Sequence, residues 1–338
     1  MRSPTVAATA PERSMKALVL VGGFGTRLRP ITYEIPKQLI PIAGKPMLYH
    51  VLDLLPRDTE EVVLASGYKA DVVQRFLEEH PPALPVRCVP EAEPLGTGGG
   101  MRNAGDGMSD PFLLLNSDVI AAIDVPALIE FHRSRGGVGA MTLAEVEDPE
   151  PYGVAALAAD DRIERFVEKP KRAEAPSRWI NAGLQVWRRD VLDAIPRGRP
   201  VSFETEIVPG LLPRGIFGFR SRGFWEDAGT PPRLLRAQRL LFDAGRGGRG
   251  TLPKGALGRG PVASGPSVDA HGASFGPYVS LGASVRVAAG AHVEDSVLMD
   301  GVEIGAGASV HHAILGPGVR VAAGTQVDGV VLGAGASA

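Results

Sequence analysis

The sequence predicts two domains of different class: an α/β domain on a mostly parallel sheet, followed by a parallel β-helix. Three observations carry this. From Met15 to about residue 242, short apolar runs alternate with amphipathic stretches, which implies parallel strands with helices covering both faces of a sheet. From residue 261 to residue 338, single apolar residues recur every six positions with Gly, Ala and Ser between them. The stretch between, residues 243–260 (DAGRGGRGTLPKGALGRG), follows neither period and reads as a linker. The 338 residues, 44% of them apolar, suffice for two cores.

Residues 1–14 contain no apolar run of signal-peptide length and read as a disordered lead, with Met15 a second candidate for the start of the chain. The runs Ala17 to Val21, Val62 to Ala65, Val86 to Val89 and Phe112 to Leu115 are expected as buried strands, separated by helices such as Ala70 to Glu79 and Val125 to His132. Ligands of such sheets bind beyond the carboxyl ends of the strands, so residues just after each run are the first place to look for chemistry. In the tail, Phe275, Leu281, Val287 and Val293 keep the six-residue step. Val293, Val310 and Val327, like Leu298, Leu315 and Leu332, repeat every seventeen residues, close to one coil of three edges with one apolar side chain pointing inward at each.

Composition excludes several function classes. The 36 Lys and Arg nearly balance 38 Asp and Glu, which argues against a chain-wide footprint for nucleic acid or an anionic membrane. Aromatics are only 6%, with no basic stretch interleaving them, so a stacking platform for single strands is unsupported. The one cysteine, Cys88, rules out an intrachain disulfide or a cysteine-rich zinc site and fits a reducing, cytoplasmic setting. The seven histidines show no HExxH and no ligand spacing. His311-His312 falls in a tail turn, where a solvated pair is the plain reading and an acyl-transfer site between subunits the sharper one.

The first strand runs directly into Gly22-Gly23-Phe24-Gly25-Thr26-Arg27. Such a turn lets backbone N–H groups approach phosphate oxygens while a guanidinium offsets their charge, although a tight strand-to-helix connection would look the same. It is neither the dinucleotide fingerprint nor a Walker loop. Asp118 and Asp227 each end an apolar run and could be helix caps or ligands of a hard cation.

Taken in order, these motifs resemble the nucleotide-sugar pyrophosphorylases, the sugar-1-phosphate nucleotidyltransferases. They are the glycine turn with Pro36-Lys37, Glu93-Pro94-Leu95-Gly96-Thr97-Gly98, Asn116-Ser117-Asp118, Tyr152-Gly153, Glu168-Lys169-Pro170, Asn181-Ala182-Gly183, Ser202-Phe203-Glu204 and Trp225-Glu226-Asp227-Ala228-Gly229-Thr230-Pro231. The resemblance covers Met15 to the C-terminus and implies a Rossmann-like catalytic domain over 15–242 with a left-handed parallel β-helix over 261–338. It implies that Leu20, Gly22, Gly23, Gly25, Thr26, Arg27, Glu91 and Gly96 bind the nucleotide. Tyr152, Gly153, Glu168, Lys169 and Asn181 would hold the sugar phosphate, and Asp118 and Asp227 would hold Mg²⁺. Arg27, Lys37, Asp118 and Asp227 then form the catalytic set for direct displacement at the α-phosphorus, in which gathering cations lowers the repulsion between two anions. Lys45 is a solvated turn residue on the same reading.

The expected substrates are an NTP, GTP first, and a sugar 1-phosphate, either mannose 1-phosphate or a hexose or cyclitol analogue. The serine in Asn116-Ser117-Asp118 and the tail segment Gly276-Pro277-Tyr278-Val279 favour the guanylyltransferase branch. Glu91 suits a base with two donors on one edge, as guanine has, though a solvated loop charge is equally consistent. Lys37-Gln38-Leu39 instead resembles long thymidylyltransferases acting on glucose 1-phosphate, and a non-catalytic regulatory paralogue is the reading outside enzymes. No capping helix follows the last coil, so residues 261–338 are expected to form a homo-oligomer contact, with no nucleic acid or membrane partner.

Overall fold

The computed structural model describes residues 15–248 and 252–338, so the expected lead over 1–14 and residues 249–251 of the expected linker lie outside the described residues. The four runs anticipated as strands are Ala17–Leu20, Val62–Ser66, Val86–Pro90 and Phe112–Asn116, and they are mutually parallel neighbours in a nine-stranded sheet. Their side chains divide by alternate position between the two faces: Leu18, Val63, Phe112 and Leu114 enter one apolar core, while Val19, Leu64, Leu113 and Leu115 enter the other. Burial on both faces is why these strands read as unbroken apolar runs.

The rest of the sheet is added antiparallel, except that Ile216–Arg220 runs parallel to Gly139–Glu145. Trp179–Trp187 pairs with Phe112–Asn116 and with Gly139–Glu145, and the hairpin of Gly153–Leu157 and Ile163–Glu168 closes that edge. These strands form a second wall beyond the carboxyl end of Phe112–Asn116. The segment expected as a base-binding loop is only partly a loop, because Gly96–Ala104 is helical despite its run of glycines. A Cβ on Gly96 would stand 2.7 Å from the Val201 carbonyl oxygen, and one on Gly98 3.0 Å from the Val201 side chain. Glycine lets this helix lie directly on a neighbouring backbone.

The helix Met47–Leu52 buries a histidine whose protonation is tied to folding. His50 is 2% exposed, its Nε2–H donates to the Ile42 carbonyl at 2.8 Å, and Nδ1 has no partner among the described residues. Burial, opposed only in part by that hydrogen bond, pushes its pKa down from 6.5 to about 4. Above pH 6.5 the ring is neutral in folded and unfolded chains alike; between 6.5 and 4 only the unfolded chain takes up the proton. His50 therefore withdraws up to about 3 kcal/mol of stability as the pH falls through that window. Denaturant midpoints between pH 7 and 4 are expected to fall less steeply in His50→Gln, which keeps a donor for Ile42; an unchanged slope assigns the acid sensitivity to other groups.

The tail consists of parallel strands in three sheets, two of five strands and one of three. The registers match the seventeen-residue repeat: Val293 pairs Val310 and Val310 pairs Val327, while Leu298 pairs Leu315 and Leu315 pairs Leu332. All but Leu332 are buried within the stack. The arrangement is compatible with a β-helix. Pairing already begins at Leu257–Gly258, which lies beside Ser274–Phe275.

One outer face of this stack is not free. Val297, Met299 and Ile314 share a core with Leu28, Ile31, Leu234 and Leu241, the last two from the helix Pro231–Asp243. Within that contact the fully buried Gln238 donates to the Tyr278 carbonyl at 2.8 Å and accepts from Ser280 at 2.7 Å and from the Ala43 N–H at 3.1 Å. Arg239 pairs with Asp295 through two nitrogens. The stretch just after the helix is anchored as well: Arg246 donates to the Ala121 carbonyl at 2.6 Å, and the Gly248 N–H to Ala43 at 2.7 Å. No helix among the described residues is long and apolar enough to cross a membrane.

Candidate active site

The carboxyl ends of the four parallel strands lead into Gly22, Gly67, Glu91 and Ser117-Asp118, which meet at one edge of the sheet. Gly22 and Gly67 are in backbone contact, since a Cβ on Gly67 would stand 3.1 Å from Gly22 Cα. Leu20, Gly22, Gly23, Lys37, Glu91, Gly96 and Asp118 line a cavity of about 320 Å³ at this edge. A second cavity of about 820 Å³ adjoins it and is lined by Arg27, Tyr152, Gly153, Glu168, Lys169, Asn181 and Asp227. Asp118, Asn116, Gly96 and Thr97 belong to both, so Asp118 stands where the two spaces meet.

The charged groups at this junction form a connected set. Lys37 follows Pro36 at the start of a short 3₁₀ turn, its ammonium is hydrogen-bonded to Asp118 Oδ2, and a Cβ on Gly23 would lie 3.7 Å from its Nζ. Asp227 ends the strand Trp225–Asp227, which pairs with Val119–Ala121 in a register that sets Asp227 opposite Val119. Its Oδ1 accepts from the Gly229 N–H at 2.9 Å, and Arg233 Nη1 is 3.5 Å from its Oδ2. A Cβ on Gly229 would sit 2.7 Å from Arg27 Nη2 and 2.8 Å from Asp227 Oδ1, so the glycine lets the guanidinium pass close to the carboxylate.

The two aspartates respond differently to this setting. Burial and then the charge of Asp118 push the Asp227 carboxyl up, with Lys37 and Arg27 opposing. Burial also pushes Asp118 up, but the charge and hydrogen bond of Lys37, aided by Arg27, outweigh it and hold that carboxyl below the ordinary range. Two carboxylates lining one cavity, offering oxygen donors beside space for phosphate and water, are the donor type that a hard divalent cation prefers.

The larger cavity is floored by the antiparallel wall. Gly153 pairs Glu168, and a Cβ there would stand 2.7 Å from Glu168 Oε2, so this glycine makes room for the carboxylate to lie across the strand. Burial, then the nearby Glu204, push Glu168 up. Lys169 adopts a left-handed backbone (φ 45), which turns its side chain out of the strand line, with Nζ 3.4 Å from Glu168 Oε1. Asn181 Oδ1 accepts from the Gly183 N–H and Gln185 Nε2, both at 3.0 Å. Its Nδ2 makes neither of these bonds.

Two of the expected nucleotide-binding residues are not in the cavity walls. Gly25 and Thr26 line neither cavity; Gly25 adopts φ 61 and its carbonyl accepts from Thr32 Oγ1 at 2.8 Å, which shapes the turn that carries Arg27. Lys45 pairs with the exposed Asp53, away from both cavities, in keeping with a solvated turn residue. Glu91 lines the small cavity, but its Oε2 already accepts from the Leu95 N–H at 3.1 Å, bracing the approach to the Gly96–Ala104 helix.

Sequence reasoning missed two members. Arg233, in the first turn of the Pro231–Asp243 helix, hydrogen-bonds the Tyr152 hydroxyl, stacks over its ring at 5.3 Å and reaches Asp227. Burial above all raises the Tyr152 phenol to about 12, so it stays protonated. An arginine at a helix N-terminus opposes the helix dipole, and that was the available signal. Glu204, quoted within a motif but given no role, lines the larger cavity and accepts from Thr97 Oγ1 at 2.6 Å.

Comparison with known proteins agrees with this geometry. The family described as Nucleotidyl transferase matches residues 16–243, and the GMPPB C-terminal domain matches residues 259–338. Mannose-1-phosphate guanylyltransferase 1 of Arabidopsis thaliana is 38% identical over 292 residues, 84% of this chain and 79% of that protein. Mannose-1-phosphate guanylyltransferase of Mycobacterium tuberculosis is 37% identical over 296 residues, 85% of this chain and 80% of that protein. Among solved structures, HddC from Yersinia pseudotuberculosis complexed with GMP-PN matches with a TM-score of 0.58 at 28% identity, covering 67% of this chain and 98% of that one. The chain belongs to the nucleotidyl transferase family of enzymes.

Proposed function

We propose that this enzyme transfers a guanylyl group from GTP to mannose 1-phosphate, releasing pyrophosphate and giving GDP-mannose. The observation that carries the reading is the meeting of Lys37, Arg27, Asp118 and Asp227 at the junction of two cavities, one sized for a base and one lined by groups suited to a phosphorylated sugar. A phosphate oxygen of the sugar attacks the α-phosphorus, the new P–O bond forms, and the bond to the departing pyrophosphate breaks on the opposite side. Lys37 and Arg27 offset the triphosphate charge, and the turn at Gly22 and Gly23 offers backbone N–H groups to it. Lys169 meets the phosphate of the sugar, while Glu168 and the Asn181 amide bind its hydroxyls. The incoming phosphate is already ionised, so no general base is required. Asp118 and Asp227 would hold Mg²⁺, which when bound adds positive charge beside the α-phosphate.

The sugar and base are read from the relatives and from the cavities together. The Lys37-Gln38-Leu39 segment, which resembles long thymidylyltransferases, offers no direct contact to a base, because Gln38 is 1% exposed and its Nε2 donates to the Val21 carbonyl at 3.3 Å. It props the glycine turn from below and does not face a base. Pyrophosphate release over a grid of NTPs and sugar 1-phosphates tests the proposal: highest kcat/KM for GTP with mannose 1-phosphate is expected, preference for another pair revises the specificity, and no release from any pair returns the regulatory reading. Glu91→Gln is expected to reduce the preference for GTP over dTTP by ~1–3 kcal/mol if the carboxylate meets guanine donors. Unchanged preference would confine Glu91 to bracing Leu95.

The tail fits a left-handed β-helix, and assembly into a homo-oligomer would use its faces other than the one already packed on the Pro231–Asp243 helix; light scattering of the full chain tests this. A cytoplasmic setting accords with the single free thiol at Cys88.

A further inference from the structure

We infer that His292, Glu294 and His311, on the outer face of the tail, form a binding site for a first-row transition-metal ion of the zinc type, separate from the nucleotide site. The coil period builds it. His292 and Glu294 lie two residues apart on one strand, so they point to the same side, and Val293 between them is fully buried in the stack. His311 is the register partner of Glu294 on the next coil. One potential ligand atom from each of the three lies within 4.8 Å of the others: His292 Nε2 is 3.5 Å, and His311 Nδ1 4.0 Å, from Glu294 Oε2. Tetrahedral ligation at about 2.1 Å needs ligand atoms ~3.4 Å apart, a contraction that half-exposed side chains can make by small rotations. Sequence spacing could not reveal the site, because its histidines are separated by one coil plus two residues.

Two further observations point to a cation. Ser274 lies beside His292 on the preceding coil, and its hydroxyl donates to the Ala291 carbonyl at 3.2 Å. The same oxygen is 2.9 Å from His292 Nδ1 and can therefore accept the Nδ1–H. In that tautomer the Nε2 lone pair faces the Glu294 carboxylate, an arrangement stabilised by a positive ion between them and typical of outer partners of metal-bound histidine, whereas in the other tautomer Nε2–H donates to the carboxylate at 3.5 Å. Gly276 makes the second contribution, since a Cβ there would stand 2.8–2.9 Å from three carbons of the Glu294 side chain. The glycine thus lets the carboxylate lie flat along the coils towards the two rings. Two imidazoles and one carboxylate select zinc-like ions over Mg²⁺. His312 takes no part: its Nδ1 is 2.8 Å from Asp328 Oδ1 on another side of the turn.

The test is calorimetric titration of the untagged, metal-stripped full chain with Zn²⁺ in millimolar Mg²⁺, together with the visible spectrum of the Co²⁺ form. One Zn²⁺ per chain is expected, with affinity reduced more than tenfold in His292→Ala and in His311→Ala and retained in His312→Ala and Asp227→Asn. The Co²⁺ bands should disappear in the same two variants. Equal Zn²⁺ affinity in the parent chain and in the His292→Ala/His311→Ala double variant would overturn the site, as would loss of binding in Asp227→Asn alone.

Discussion

Asp227→Asn is expected to lower turnover on the order of a thousandfold while leaving the melting temperature nearly unchanged. The two halves of this result have separate physical origins. The attractive partners Asp227 has to lose are the Gly229 N–H, which the amide oxygen of Asn can also meet, Arg233 at 3.5 Å, and the charges of Lys37 and Arg27. Against these stand burial and the repulsion from Asp118, which together outweigh them and raise its carboxyl, so removing the charge relieves as much as it costs the resting protein. During reaction the balance reverses, because a hard cation beside the α-phosphate needs anionic oxygen, and an amide supplies a weaker donor. Asp118→Asn is a poorer discriminator, since it would also release Lys37 from its hydrogen bond and move a second catalytic group. Steady-state rates over a range of Mg²⁺ concentrations, with a melting curve on the same sample, check the expectation. Comparable turnover with Mg²⁺ dependence intact would remove Asp227 from the site.

The parts of this site that the sequence made legible are those where one local rule sufficed. Buried parallel strands must be apolar on both faces, so Ala17–Leu20 and Phe112–Asn116 announce themselves, and the residues just after them must face the ligand edge. The coil registry was legible for a similar reason, because each inward position of the tail repeats against its own copy, as Val293 does against Val310. What stayed hidden depends on tertiary contact. Gly96–Ala104 is helical because it rests on Val201, although its glycines argue against a helix. Arg233 reaches the site only because the strand Trp225–Asp227 turns the following helix back over Tyr152. The outward apolar residues of the tail were visible but unread. Val297-Leu298-Met299 breaks the rule of one apolar residue per edge, and the two extra side chains are the ones that meet the Pro231–Asp243 helix.

That packing sets the expected outcome of removing the tail, and it differs from simple loss of assembly. A chain ending at residue 248 is expected to aggregate or to melt far below the full-length protein, with activity lost through unfolding rather than through missing chemistry. Val297, Met299 and Ile314 are each no more than 2% exposed, and deleting them uncovers Leu28, Ile31, Leu234 and Leu241 on the catalytic side. Fully burying such side chains is worth ~1.5–3 kcal/mol apiece, so the contact contributes on the order of 5–10 kcal/mol, similar to the whole stability of many domains. Polar groups add direction rather than energy: Gln238 can exchange its partners for water once uncovered, whereas Asp295 and Arg239 fix how the two bodies meet. Met299→Asp in the full chain isolates the interface, because it leaves every coil and every catalytic group in place while setting a carboxylate against Leu28, Ile31 and their neighbours. This variant should melt well below the parent and become susceptible to proteolysis around the helix. If instead the truncated chain stays soluble, melts within a few degrees of the parent and turns over at a comparable rate, the contact between tail and helix carries little of the folding energy, and the coils serve assembly alone.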